Sequence, residues 1–238
     1  MNKKIIAGLP ITRLSVSRNG VPLEIAIHPL KSKKIVISIP GIFGNIDGYN
    51  DKYRKLADFI RSSGIGAVLR TDNLSQEDFG DEEYEDALTN NVRFAIEYAL
   101  EHSYKIAKTK SPDILLMGFS AGASAVAAVA SEFKNVKSIL LVAPSGDAGK
   151  TALESGLSKF KGKVFITVGY NDEVVGRRAG QIFYDLANKA AYKELIIVDD
   201  CDHQFRGRKN GLIMSKTPLW AFADDKTYPS PDNGIVLY

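Results

Sequence analysis

Residues 114–131 read ILLMGFSAGASAVAAVAS, and this stretch decides the fold. The four apolar residues from Ile114 to Met117 are typical of a strand that is buried on both faces. They run into Gly118-Phe119-Ser120-Ala121-Gly122, which is followed by a run of small residues that favours a helix packed close to a sheet. Gly-x-Ser-x-Gly between a buried strand and a helix is typical of a tight turn that lifts the serine hydroxyl above the carboxyl ends of the strands.

Apolar runs and helical patterns alternate on either side of this stretch. The other buried runs are 35–39, 67–69, 139–142, 164–168 and 195–198, and the helical patterns are 53–61, 83–107, 121–131, 151–160 and 176–190. Before them, Leu14 and Leu23 lie in two alternating segments joined by Asn19-Gly20, a pair that favours a type I′ turn. The sequence therefore predicts an α/β protein with a mostly parallel eight-stranded sheet, helices on both faces and an N-terminal β-hairpin.

Domain organisation follows from the spacing of these elements. No repeat and no long linker interrupts the chain, so we expect a single domain over residues 1–238. About twenty residues separate the runs that end near Ala143 and begin near Val164, enough for one helix, so no large cap is expected. After residue 205, Gly207, Gly211 and Pro218 argue against a clear final helix. The tail 226–238 could wrap the body, close the site or join a partner chain.

Composition excludes several classes of function. A net charge of +3 does not indicate a nucleic-acid or membrane partner, and the single cysteine, Cys201, permits no internal disulfide. The apolar run Ile5 to Leu9 is too short for a secretory signal or a membrane span. We therefore expect a cytoplasmic protein that acts on a small molecule, while the oligomeric state stays open.

A serine hydroxyl needs an adjacent base before it can act as a nucleophile. The chain has three histidines. His28 ends the second hairpin strand, His102 falls within a helical pattern, and His203 follows the last predicted strand. Because Ser120 also follows a strand, both side chains are expected at the carboxyl edge of the sheet. His203 is therefore the predicted base.

The base needs a carboxylate that fixes its tautomer and stabilises its charged form. Asp172 follows the predicted strand 164–168 and so belongs to the same edge. Asp199, Asp200 and Asp202 lie nearer to His203 in sequence, but proximity in sequence does not aim a carboxylate at the ring. Asp172 is the predicted partner, and its neighbour Glu173 is a possible substitute.

An oxyanion site is predicted where residues 40–45, PGIFGN, leave a strand as a glycine-containing loop. The backbone N–H groups of Ile42 and Ala121 could converge on the charge that develops on a substrate carbonyl oxygen. A phosphate-binding loop is the rival interpretation, but the Gly-Lys-Ser/Thr ending is absent.

The most acidic segment lies between residues 77 and 86. We interpret it as a solvated loop with carboxylates at a helix N-terminus, where the helix dipole favours them. A metal site is the alternative, but the spacing of a calcium loop is missing, and no metal is expected. The acidic residues are Glu77, Asp78, Asp81, Glu82, Glu83, Glu85 and Asp86.

Residues 33–205 resemble the α/β-hydrolase superfamily. The resemblance rests on the chain order Ser120, Asp172, His203, with each residue after a strand, and on the Gly41 loop that precedes them. Many members of the superfamily have His-Gly where this chain has Pro40-Gly41. The resemblance implies a serine hydrolase that forms a covalent acyl-enzyme and uses no cofactor.

The resulting hypothesis is a carboxylic-ester hydrolase that favours small, short-acyl substrates, because a chain without a large cap has little apolar surface to cover a long acyl group. A thioesterase, amidase or peptidase would use the same three residues, and cofactor-free lyase or perhydrolase chemistry stays open. A non-catalytic binding protein on this scaffold is the alternative from another class. The candidate pocket walls are Phe43, Phe119, Tyr170, Phe205 and Trp220, and basic residues beside the site are Arg206, Arg208 and Lys209.

Overall fold

The computed structural model describes residues 10–18, 20–73 and 83–238, which form one eight-stranded sheet and seven α-helices. The strands are β1 Thr12–Arg18, β2 Val21–His28, β3 Lys34–Ile39, β4 Ala67–Thr71, β5 Asp113–Phe119, β6 Val136–Val142, β7 Lys163–Gly169 and β8 Tyr192–Val198. The helices are α1 Lys52–Ser62, α2 Tyr84–Glu101, α3 Ser103–Ala107, α4 Ala121–Val129, α5 Lys150–Lys159, α6 Arg178–Leu186 and α7 Gly207–Ala223.

The order of strands in the sheet creates the place for a site. The order is β1-β2-β4-β3-β5-β6-β7-β8; β1 and β2 are antiparallel and the other six strands run parallel. The chain goes from β3 to β4 on one side and then returns to place β5 on the other side. Open α/β sheets bind ligands outside the carboxyl ends of the strands at such a reversal. Here the loop after β3 and the turn after β5 flank it.

Two apolar clusters hold the helices to the two faces of the sheet. One contains Val92 of α2, Val126 of α4 and Leu157 of α5, all fully buried. The other contains Leu56 of α1 and Ile213 of α7. Each buried methylene contributes about 0.8 kcal/mol, so these faces supply the main driving force for folding. The prediction of a mostly parallel sheet that is covered on both sides is confirmed.

The predicted N-terminal hairpin is also present. Arg18 pairs with Val21 in the antiparallel register of β1 and β2, so two residues connect the strands. Gly20 has a φ of +86°, as a type I′ turn requires. Asn19 lies outside the described residues, as do the apolar run at the N-terminus and the acidic residues before Glu83.

Two helix predictions need correction. The single helix expected over 83–107 is two helices, because the backbone of His102 leaves helical geometry between α2 and α3. The expectation that the chain has no clear final helix was wrong, because α7 forms and continues through Pro218. Proline has no N–H to donate to the carbonyl four residues earlier, which here belongs to Met214. The Thr217 hydroxyl donates to that oxygen instead, at 2.9 Å.

The tail after α7 wraps the body. The Tyr228 ring stacks on Trp220 with centroids 4.7 Å apart, and its hydroxyl lies 2.7 Å from that of Thr167. Leu237 is fully buried, and the Tyr238 hydroxyl donates to the backbone oxygen of Gln204. The last residue of the chain therefore contacts the loop that carries His203.

Candidate active site

Ser120 occupies a strained turn between β5 and α4. Its φ of 53° and ψ of −120° lie in a region that non-glycine residues rarely adopt, at a cost of roughly 1–3 kcal/mol. The neighbouring glycines are required by space: a Cβ at position 118 would lie 2.5 Å from Ala123, and one at 122 would overlap the Pro40 carbonyl oxygen. The turn aims the serine side chain into a cavity at the carboxyl edge of the sheet.

His203 reaches the serine from the loop after β8. Its Nε2 lies 3.1 Å from Ser120 Oγ, and its side chain is 7% exposed. The Phe119 ring packs against the imidazole with centroids 5.2 Å apart. This contact restricts rotation of the imidazole away from Ser120.

Asp172 holds the other side of the imidazole. Its Oδ2 lies 2.8 Å from His203 Nδ1, and its Oδ1 accepts hydrogen bonds from the backbone N–H groups of Val174 and Val175, each at 3.0 Å. The carboxylate is fully buried, whereas Glu173 is exposed. With Nδ1–H donating to Asp172, Nε2 of the neutral ring is free to accept the serine proton.

The other two histidines contact different groups. His102 stacks on Tyr98 with ring centroids 4.1 Å apart. His28 is fully buried, with Nδ1 3.0 Å from Asp58 Oδ1 while Nε2 accepts a hydrogen bond from Arg70 Nε. Neither histidine contacts Ser120 or Asp172 in these interactions.

The buried His28 makes stability depend on pH. Burial, and secondarily the charge of Arg70, lower the pKa of His28 from 6.5 to about 4. Between these values the unfolded chain binds a proton that the folded chain excludes, so acidification destabilises the fold. We expect the free energy of unfolding to fall by about 2 kcal/mol more in the wild type than in His28→Asn between pH 7 and pH 4.5. Urea unfolding at both pH values measures this difference; equal losses in the two proteins would contradict it.

The loop after β3 passes beside the serine and is anchored from β4. A Cβ at Gly41 would lie 3.3 Å from Ser120 Cβ, so the backbone of this loop is close to the reacting hydroxyl. The Asn73 side chain donates a hydrogen bond to the Pro40 carbonyl at 3.0 Å. The Asn73 backbone N–H donates to the Gly44 carbonyl at 2.8 Å. Arg70 donates to the Ile46 carbonyl from the same side. The sequence analysis missed both anchors, although an arginine directly after the apolar run 67–69 is a signal that could have found Arg70.

The two predicted oxyanion donors lie on either side of the serine. Ala121 begins α4 immediately after Ser120, where the helix dipole places partial positive charge on the amides. Ile42 lines the same cavity as Ser120. Within the described residues, neither amide has a protein acceptor.

A cavity of about 1080 Å³ opens beside Ser120. Helices α5 and α6 supply nearly half of the residues that line it, and much of the wall is apolar. The apolar lining residues are Ile42, Leu153, Val174, Val175, Ala179, Ile182, Phe183 and Leu186. Ile182 is 58% exposed and Val174 is 71% exposed, so apolar surface stands open at this place. Lys150 and Arg178 add positive charge to the wall, and Glu85, Asp147 and Glu154 add negative charge.

The predicted pocket walls are not among the residues that line this cavity. Phe205 and Trp220 are buried in the apolar cluster under α1 and α7, and Phe119 packs there with its ring against His203. Phe43 and Tyr170 are 57% and 50% exposed outside the cavity. The prediction chose aromatic residues near the site in sequence, whereas the wall comes from aliphatic residues of helices that pack beside it.

A buried lysine links the tail to the loop of the histidine. Lys52 is 5% exposed, and its ammonium lies 4.8 Å from the ring centre of Phe119 and 5.6 Å from that of Tyr238. Its Nζ also donates to the Gln204 side chain at 3.3 Å. Burial lowers the pKa of Lys52 to about 8. These contacts hold in place Phe119, which precedes Ser120, and Gln204, which follows His203.

The part of the chain that the structure describes holds no group of three or more histidine, cysteine, aspartate or glutamate side chains arranged to bind a metal.

Arg206, Arg208 and Lys209 are exposed at the start of α7. Among the described residues, no helix is both long and apolar enough to cross a membrane.

Comparisons with known proteins place this geometry in a fold. No family model matches the sequence, and no curated protein matches it. A dienelactone hydrolase from Anabaena variabilis superposes with a TM-score of 0.70 at 20% identity, over 90% of this chain and 98% of that one. The chain has the α/β-hydrolase fold.

Two further solved structures support this assignment. Est1E from Butyrivibrio proteoclasticus gives a TM-score of 0.68 at 17% identity, over 87% of this chain and 96% of that one. The esterase Pf2001 from Pyrococcus furiosus gives 0.70 at 16% identity, over 90% and 93%. In this α/β-hydrolase fold, the segment between β6 and β7 carries α5 alone, in line with the predicted lack of a large cap.

Proposed function

We propose that this protein is a serine hydrolase that cleaves carboxylic esters through an acyl-enzyme on Ser120. The observation that carries the proposal is the continuous hydrogen-bonded relay from Ser120 Oγ through His203 to Asp172. The names of the structural neighbours, which include the esterase Pf2001 and a dienelactone hydrolase, favour an ester over a thioester or amide.

The relay supports a two-step reaction. Ser120 Oγ attacks the ester carbonyl while His203 Nε2 takes its proton, and the carbonyl oxygen becomes negatively charged. The amides of Ile42 and Ala121 donate to that oxygen. The C–O bond to the alcohol then breaks, and the imidazolium returns the proton to the departing oxygen. Water repeats the sequence on the acyl-enzyme and releases the acid.

Asp172 keeps His203 in the tautomer that this cycle needs and stabilises the imidazolium. Because both Asp172 oxygens are already occupied by hydrogen bonds, the carboxylate cannot turn away from the ring without breaking them. A binding protein without catalysis would not need this arrangement, and the intact relay therefore favours an enzyme.

A screen of acyl esters, thioesters and amides on the purified protein tests the reaction class. We expect the wild-type protein to hydrolyse esters and the Ser120→Ala variant not to. Preferred turnover of thioesters or amides would replace the ester proposal, and no turnover of any acyl substrate would favour the binding-protein alternative.

The cavity changes the expectation about acyl length. The short-acyl preference assumed little apolar surface beside the serine, whereas α5 and α6 provide a wall of aliphatic side chains in a space of about 1080 Å³. Each methylene covered by that wall contributes about 0.8 kcal/mol, which corresponds to an increase of roughly fourfold in kcat/KM. We therefore propose that kcat/KM rises from acetyl to medium-length acyl esters before it levels off.

The side chain of Ile182 provides the test of this wall. We expect Ile182→Ser to lower kcat/KM for octanoyl esters about 5-fold and to leave acetyl esters nearly unchanged, because only the longer chain reaches the wall. Ile197→Ser is the matched control, since Ile197 is also exposed but lies outside the cavity. A preference for acetyl in the wild type, or equal effects of the two substitutions, would contradict the proposed pocket.

A further inference from the structure

Lysines gather at the edge of the sheet opposite the candidate site. The relevant segments are the last four residues before each parallel strand together with its first two residues. They are 30–35, 63–68, 109–114, 132–137, 159–164 and 188–193. These segments contain eleven lysines and only two carboxylates, Asp113 and Glu132. We call this surface the lysine edge.

The opposite edge has the reverse charge. The corresponding segments are the last two residues of each of the same six strands and the four residues that follow it. Together these segments contain no lysine and one arginine, the buried Arg70. The carboxylates there are Asp72, Asp172, Glu173, Asp199, Asp200 and Asp202. The net charge of +3, which gave no reason to expect a membrane partner, therefore conceals two oppositely charged ends of one sheet.

The charges of the lysine edge are not neutralised within the chain. Nine of the eleven lysines are exposed, and across residues 10–18, 20–73 and 83–238 none has a carboxylate oxygen within 4 Å of its ammonium. Glu132 is paired with Arg93 of α2, at 2.8 Å. Uncompensated cations at this density attract a polyanion over about one Debye length, 8–10 Å.

The edge also contains a depression of about 380 Å³ between the starts of β6 and β7. Lys134, Lys137, Lys159 and Lys161 surround it, and Phe160 contributes an apolar floor. The Lys137 ammonium donates to the Lys134 carbonyl and that of Lys159 to the Ser155 hydroxyl, both neutral acceptors that leave the positive charge in place. The depression combines four cations with an apolar base, which suits a phosphodiester attached to an apolar group.

We propose that the lysine edge docks on an anionic phospholipid bilayer, with the candidate active site facing away from it. The six adjacent strands span about 24 Å, and five of their six starting segments supply lysines. A planar array of phosphates can therefore contact several of these lysines at the same time. Tyr104 and Tyr192, 61% and 41% exposed, stand at this edge, and tyrosine is favoured at the interface between water and lipid.

The placement of the aromatic rings disfavours single-stranded nucleic acid as the partner. Tyr104 lies on α3, which packs beside β3, and Tyr192 begins β8, four strand spacings or about 19 Å from β3, too far for stacking on successive bases. Phe160, at 3% exposed, presents too little of its ring to the depression for a base to stack on it. The docking proposal stands independently of the hydrolase proposal, because it uses no residue of the candidate active site.

Sedimentation with phospholipid vesicles tests the docking. We expect the full chain to bind vesicles with one-third phosphatidylglycerol at low salt, to be released at high salt, and not to bind pure phosphatidylcholine. Each lysine near an anionic bilayer strengthens binding about 5-fold. Replacing Lys134, Lys137, Lys159 and Lys161 with glutamine should therefore weaken binding about 10²- to 10³-fold.

A variant with the same net charge is the control. It replaces Arg54, Arg206, Arg208 and Lys209, which are exposed outside the lysine edge, with glutamine. We expect it to bind anionic vesicles within about 5-fold of the wild type, with unchanged thermal unfolding in both variants. Equal losses in the two variants, absent vesicle binding, or tighter binding to an oligonucleotide than to anionic vesicles would overturn the proposal.

Discussion

Ser120→Ala is expected to lower kcat for ester hydrolysis by about 10⁶-fold, the scale of removing the nucleophile from a serine hydrolase. The substitution removes the oxygen that forms the acyl bond, and the buried His203 would then have no proton to take. The exposed Ser63, directly after α1, provides a control, and Ser63→Ala should retain full activity. Steady-state kinetics with a chromogenic ester measures both variants.

The alanine variant should unfold near the wild-type temperature, because alanine keeps the backbone angles of the turn and removes only the contact of the hydroxyl with His203. A Ser120→Ala enzyme with wild-type kcat would show that another group, or a directly activated water molecule, attacks the ester. That outcome would remove the proposed mechanism while leaving the fold untouched.

His203→Ala is expected to cost about as much as removal of the serine, since a nucleophile without its base is as inactive as a missing one. Asp172→Asn should cost less, about 10⁴-fold, because the amide can hold the ring but favours the wrong tautomer. His102→Gln is the control, because the His102 ring stacks on Tyr98 away from the serine. Steady-state kinetics on the three variants measures this order of losses.

The order of these effects distinguishes the relay from a structural role. If His102→Gln were the inactive variant, the base would have been assigned to the wrong edge of the sheet. If Asp172→Asn were harmless while Glu173→Gln was severe, the carboxylate would be Glu173, the substitute that the sequence left open.

The sequence was sufficient to predict that three side chains lie at the same edge of the sheet. Ser120, Asp172 and His203 each follow a buried apolar run, and parallel strands end at the same edge whatever the details of packing. Their positions therefore follow from periodicity and strand direction alone. Their catalytic role stays a prediction until the variants are measured.

The wall of the cavity could not be predicted in this way. Ile182 and Leu153 lie on helices whose rotation about their axes depends on how α5 and α6 pack against each other and the sheet. Periodicity identifies an apolar face of a helix but does not show that part of the face stays open beside the serine. The aromatic residues nearest in sequence do not line this cavity for the same reason.

The supporting contacts were equally hidden. Lys52 joins Phe119, Gln204 and Tyr238, which are separated by 67, 152 and 186 positions along the chain. Pro218 was interpreted as a helix breaker, because the compensating hydroxyl of Thr217 acts only once the helix has formed. Long-range contacts and conditional hydrogen bonds leave no local pattern in a sequence.

The most direct test of the central claim is the mass of the protein after reaction with a fluorophosphonate, followed by peptide mapping. The probe phosphonylates a serine only where a base has activated it, and fluoride leaves as the O–P bond forms. We predict one adduct per chain, located on Ser120, and none on the His203→Ala variant. An unmodified protein, or an adduct on another residue, would contradict the assignment of Ser120 as an activated nucleophile.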